Sequence, residues 1–200
     1  MSSPNWNFSR GAATWGSGTT GVSGAVSSSN SLVGGTAGDQ VSNFGITALI
    51  NGNYVVNSPN WSSSTATNVG AVTWGNGSTG VTGVVSSGNS LVGTRTDDQV
   101  GFGGVTALTN GNYVVSSYLW DRNGTLTDAG AVTWANGATG LSGAVSDLNS
   151  FVGSFANDQI GMGGVYALTN GNYVISSPTW SSDRGSVTWR TGAAAAPGAV

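Results

Sequence analysis

The sequence predicts an all-β fold: a tandem array of four-stranded antiparallel sheets, arranged like the blades of a β-propeller. Three observations carry this reading. The phrase Gly104-Val105-Thr106-Ala107-Leu108-Thr109-Asn110-Gly111-Asn112-Tyr113-Val114-Val115 recurs with small changes at residues 45–56 and 164–175. Tyr54, Tyr113 and Tyr173 therefore stand 59 and 60 positions apart, a regularity that marks a repeat protein. Each phrase sets Asn-Gly between two runs of apolar and β-branched residues, the strongest short signal of a hairpin. Helix-favouring Lys and Glu are absent, and Gly accounts for 34 of 200 residues, so the turns are many and the helices few.

The hairpin is the first element of the unit. A type I′ turn at Asn110-Gly111, with positive φ at both residues, sets Leu108 opposite Tyr113. A Ser-Pro-x-Trp phrase follows at Ser3-Pro4-Asn5-Trp6, Ser58-Pro59-Asn60-Trp61 and Ser177-Pro178-Thr179-Trp180, with Ser117-Tyr118-Leu119-Trp120 as the divergent copy. The next strand ends in Thr-Trp at Trp15, Trp74, Trp134 and Trp189. A Gly/Asn turn then leads into an apolar stretch over residues 80–93, with counterparts at 21–34 and 140–153. A polar link carrying Asp39-Gln40, Asp98-Gln99 or Asp158-Gln159 returns the chain to the hairpin. Residues 1–192 form one repeat domain with units near 1–45, 46–104, 105–164 and 165–192, and residues 193–200 are a flexible tail. A β-solenoid is the rival architecture. Its successive parallel rungs cannot be neighbours joined by a two-residue turn, which favours blades.

The unit also resembles the FG-GAP repeat of integrin-α-type propellers, as found in large bacterial surface and adhesin-like proteins. The likeness lies in Phe44-Gly45 and Phe102-Gly103 before the hairpin, in Val56-Asn57-Ser58-Pro59 and Ile175-Ser176-Ser177-Pro178 after it, and in strands such as Gly130-Ala131-Val132-Thr133-Trp134. Met162-Gly163 departs from the first pair. The resemblance implies a propeller. Many such blades hold calcium in an Asp-rich loop, but Asn51-Gly52, Asn110-Gly111 and Asn170-Gly171 offer no carboxylate, so no metal is expected there.

Composition narrows the chemistry. His, Cys, Lys and Glu are all missing, so His-assisted triads, thiolate nucleophiles, Schiff bases and disulfides are excluded, and neither an enzyme nor a cofactor is expected. A net charge of −3 argues against nucleic acid or an anionic membrane surface as partner. No stretch approaches the roughly 20 apolar residues that span a bilayer, and the first residues show no signal peptide. Cysteine-free, lysine-free chains rich in Gly, Ser, Thr and Asn are common among large bacterial surface proteins, so an extracellular or cell-surface location is the expectation.

Asp39, Asp98 and Asp158 recur at one repeat position and read as loop braces, since Asp side chains bond nearby backbone in turns. Trp15, Trp74, Trp134 and Trp189 read as core between sheets. Trp61, Trp120 and Trp180 (with Trp6) end a phrase beside a polar loop and are the candidate ligand-binding aromatics, able either to pack or to stack on sugar C–H faces. The loops between the paired Trp residues vary most, and they carry Arg122 and Arg184 as candidate recognition groups.

The count of units is incomplete: the Thr-Trp half occurs four times and the hairpin half three times. Three and a fraction blades cannot close a ring of about four to eight. Both terminal halves share a Trp–Trp spacing of 9, against 13 and 14 inside, which reads as built ends. The expectation is a structural or adhesive module that forms a homo-oligomer or polymer through its blade edges. A carbohydrate-binding lectin with one shallow glycan site per blade is the alternative.

Overall fold

A computed structural model describes residues 1–200. It is nearly all β, with four sheets in succession along the chain. The second sheet shows the complete unit. Ile46–Ala48 and Tyr54–Ser58 form the hairpin, Ala71–Gly75 pairs with the latter, and Ser90–Val92 closes the antiparallel set. The third sheet repeats this with Val105–Ala107, Tyr113–Ser117, Ala131–Ala135 and Ser150–Val152.

A further strand joins each of the first three sheets, the fifth in the second and third and the fourth in the first, which the sequence did not announce. Gly143–Ala144, from the third repeat, pairs in parallel with Ser90–Val92 of the second. Gly83–Val84 does the same for Ser31–Val33 of the first sheet. The stretch read as a single apolar pattern is thus split: its first part straps the preceding sheet, and its second part is the outer strand of its own. The strap covers an edge that would otherwise expose unpaired N–H and C=O groups. Gly198–Ala199 fills this role for Ser150–Val152, so the segment read as a flexible tail is paired at its end.

The hairpin register differs from expectation by one residue. Tyr113 pairs with Ala107, not Leu108. Only Gly111 takes a positive φ, of 89°; Asn110 does not. The Leu108 amide donates to the Asn112 carbonyl at 2.8 Å, closing a three-residue loop whose last member is the left-handed glycine. Asn110 is held out of the left-handed region by its own side chain, whose Oδ1 accepts the Asn112 N–H at 3.1 Å.

The Ser-Pro-x-Trp segments do not continue as strands. At the two terminal copies they form single turns, Trp6–Ser9 and Trp180–Asp183, with left-handed backbone at Asn7, Phe8, Ser181 and Ser182.

The core lies between sheets. Val72, Leu91 and Val100 of the second repeat pack with Tyr113, Val115 and Val152 of the third, and Val132 of the third packs with Ile160, Tyr173 and Ile175. Full burial of such side chains contributes about 1.5–3 kcal/mol each, and neither sheet obtains it alone. The inner strands of adjacent repeats also touch, as where Thr106 donates to the Val165 carbonyl at 3.2 Å. The array does not close: no strand pairing joins the first sheet to the fourth. The first sheet lacks a hairpin strand at its inner edge, and the fourth, of Val165–Ala167, Tyr173–Ser177 and Ser186–Arg190, lacks both outer strand and strap.

Candidate functional site

The most elaborate polar constellation lies at the junctions between repeats. Gly137 stands three residues after Trp134, in the turn that leaves the third repeat's Ala131–Ala135 strand. Its carbonyl accepts from Trp74 Nε1 at 2.9 Å, from Asn53 Nδ2 at 2.9 Å and from Asn51 Nδ2 at 2.9 Å, all from the second repeat. The Gly192 carbonyl accepts likewise from Trp134 at 2.8 Å, Asn112 at 2.9 Å and Asn110 at 2.8 Å. At the first junction Gly77 receives only Trp15, at 3.0 Å, because the first sheet has no hairpin to supply the asparagines. A side chain cannot stand at Gly137, because its Cβ would fall 1.7 Å from the Gly111 carbonyl oxygen.

The recurring aspartates form a second tie. Asp98 is fully buried and accepts the N–H groups of Thr94 at 2.7 Å, Arg95 at 2.8 Å and Asp121 at 3.0 Å. The first two belong to its own loop and the third to the next repeat. Asp39 spans to Ser62, and Asp158 to Ser181, in the same way. These carboxylates are loop braces, as the sequence suggested, and they also staple successive units. Burial pushes the Asp98 and Asp39 carboxyls above the ordinary carboxylate range, against the pull of the backbone donors.

The candidate ligand-binding residues fare unevenly. Trp61 and Trp120 are buried, at 7% and 4% exposure, and not partly exposed as their place beside polar loops suggested. Trp61 shares a core cluster with Val85 and Val92, and Trp120 with Val145 and Val152, which sequence position alone does not reveal. Trp180 is half-buried and Arg184 exposed. Arg122 is engaged rather than free: its guanidinium pairs with Asp147 at 2.9 Å and donates to the Gly153 carbonyl at 2.9 Å. The four Thr-Trp tryptophans also divide. Trp15, Trp74 and Trp134 are partly buried with their ring N–H bonded across a junction, whereas Trp189 is 57% exposed, since no sheet follows it.

The structure does assemble one feature around the Ser-Pro-x-Trp aromatics. A groove of about 330 Å³ runs beside Trp61, between Ser63, Thr65, Ser87 and Thr94. A matching groove of about 360 Å³ lies beside Trp6, and one of about 350 Å³ beside Trp120 is lined instead by Thr94 and Arg95 of the preceding repeat. No group of three or more acidic side chains gathers to hold a metal ion. Asn51, Asn53, Asn110 and Asn112, with Gly77, Gly137 and Gly192, are the residues that sequence reasoning missed as junction groups. The available signal was positional: a glycine follows each Thr-Trp tryptophan at the third residue, and Asn brackets each hairpin glycine.

Fold and junctions together define a tandem β-repeat protein whose units are incomplete without their neighbours. A family model described as a repeat of unknown function (DUF5650) matches residues 1–43, 48–102, 107–162 and 167–200, and the chain belongs to that repeat family. No curated protein matches it.

Proposed function

We propose that the chain is a non-enzymatic structural and adhesive module of a bacterial extracellular or surface protein, and that it assembles with further copies of itself. The observation that carries assembly is the outer face of the fourth sheet. Val187 and Trp189 are 77% and 57% exposed there, while Val72 and Val132, the counterparts of Val187, are buried and Trp74 and Trp134, those of Trp189, are partly buried. An uncovered sheet face beside an open edge strand, Ser186–Arg190, is a surface that a soluble protein normally covers. A non-catalytic role is supported by the absence of His, Cys, Lys and Glu, and by the use of Asp39, Asp98 and Asp158 as braces. The surface location rests on composition, and kinship with FG-GAP propeller repeats rests on the Phe-Gly and Ser-Pro phrases. Sedimentation velocity over a wide concentration range tests the reading: mass should rise with concentration, and a constant monomer mass refutes assembly. Surface labelling of the source cells tests the location.

A lectin-like role is the second reading, favoured by the grooves beside Trp6, Trp61 and Trp120. Several shallow sites on one rigid array gain affinity by multivalency. A glycan array read with intrinsic Trp fluorescence tests it; binding that survives filling the Trp61 groove with Ser87→Trp places any sugar elsewhere.

A further inference from the structure

We infer that the two open ends of the array are complementary, so that a second copy docks head to tail with its Gly18 carbonyl receiving Trp189, Asn170 and Asn172. The inference rests on the assembly reading above and specifies its interface. Inside the chain one pattern governs each junction: the Thr-Trp indole and the hairpin asparagines of one repeat converge on the glycine carbonyl of the next. The fourth repeat carries all three donors. Trp189 stands where Trp74 and Trp134 do, and Asn170 and Asn172 where Asn110 and Asn112 do. Their oxygens are engaged within the repeat, Asn170 by the Asn172 N–H at 3.1 Å and Asn172 by the Gly192 N–H at 3.2 Å. The same two bonds orient the carboxamides of the internal asparagines, whose Nδ2 groups reach the next repeat. The donors are therefore preset and meet no acceptor beyond them.

The first repeat offers the matching acceptor. Gly18 is third after Trp15, as Gly77 is after Trp74, and it is exposed. A Cβ built there meets nothing within 4 Å, whereas at Gly77, Gly137 and Gly192 it collides with a hairpin carbonyl. Around these groups the two terminal repeats present apolar surface. Val187 and Trp189 are exposed in the fourth repeat, and Val22 is 44% exposed in the first, where its counterparts Val81 and Leu141 pack against a core cluster. A partner copy continues an interface that this fold already uses at each internal junction. Because the joined surfaces differ, the contact is heterologous, and an array that does not close extends into filaments.

The test uses the intact chain and two end variants. Trp189→Ala removes the exposed indole, and Gly18→Phe adds bulk beside the acceptor where the monomer has room. Each variant should keep the wild-type circular dichroism and melting temperature at low concentration. Each should self-associate at least ~30-fold more weakly than wild type, as loss of a central aromatic anchor implies. Mixed in equal amounts, the two variants should form a one-to-one dimer, since each retains one intact end, and neither should extend further. Wild-type assembly that both variants preserve overturns this interface and leaves the assembly reading standing. A wild type that remains monomeric overturns both. Variants that fail alone and also fail to pair when mixed overturn the head-to-tail geometry.

Discussion

The indole N–H of Trp74 and the carbonyl of Gly137 meet at 2.9 Å across a boundary between repeats. This contact joins the end of one sheet's central strand to the turn that leaves the next. Asn51 and Asn53 converge on the same oxygen, so a single backbone atom accepts three side-chain donors from the preceding unit. Removing one donor by Trp74→Phe keeps most of the ring and its packing. The expected loss is about 1 kcal/mol, the net worth of a typical hydrogen bond, measured by urea denaturation. A double-mutant cycle with Asn53→Ala should show coupling, because both donors share the acceptor.

The glycine at this point has no room for a methyl group. Gly137→Ala places a Cβ against the Gly111 backbone, which has no flexible side chain to yield. We expect a loss of about 3 kcal/mol or more in denaturant midpoint experiments, at the upper end of overpacking costs. Gly18→Ala, at the equivalent position of the first repeat, should change stability by no more than about 0.5 kcal/mol in the monomer.

Asp98 offers a second test of how units are stapled. In Asp98→Asn one carboxylate oxygen becomes an NH₂ group facing a backbone N–H, either that of Asp121 or those of Thr94 and Arg95. A buried donor left facing a donor costs about 1–3 kcal/mol. Asp97→Asn, on the exposed neighbour, should stay within about 0.5 kcal/mol. Equal effects at the two positions would remove the brace from the account.

Stability at alkaline pH should report the buried phenols. Burial raises the Tyr173 hydroxyl from 10.0 to about 12, and pushes Tyr113 up more strongly still. Both groups keep their proton longer in the folded chain than in the unfolded one. Their contribution is therefore complete below pH 10 and is lost as pH climbs from about 10 towards 12. Each ionisation contributes a slope of up to about 1.4 kcal/mol per pH unit in that window. Thermal melts from pH 8 to 12 should show the fall, and Tyr173→Phe should make it shallower; an unchanged slope would contradict the assignment.

How much of this was legible in the sequence can be judged residue by residue. The positions of Tyr54, Tyr113 and Tyr173 marked the period, and the strands ending near Trp74 and Trp134 fall where their alternation placed them. Asp98 was readable as a brace because it recurs beside turn residues. The hairpin register was not readable: Asn-Gly is compatible with both a two-residue and a three-residue loop, and the choice depends on the Asn110 side chain. Trp61 and Trp120 misled for a related reason, because the strand that covers them comes from more distant chain.

The sequence by itself determined that this is an all-β protein of repeated hairpin-bearing units, because period, turn chemistry and alternation are local properties of neighbouring residues. Only the tertiary structure decided that each unit straps its predecessor, that one glycine carbonyl gathers three donors, and that Trp189 is left uncovered. The glycine-carbonyl contacts join residues 58 to 86 positions apart, and the straps pair residues 47 to 52 apart. Such pairings arise from how sheets stack, and no local pattern encodes which surface a stacked sheet will cover.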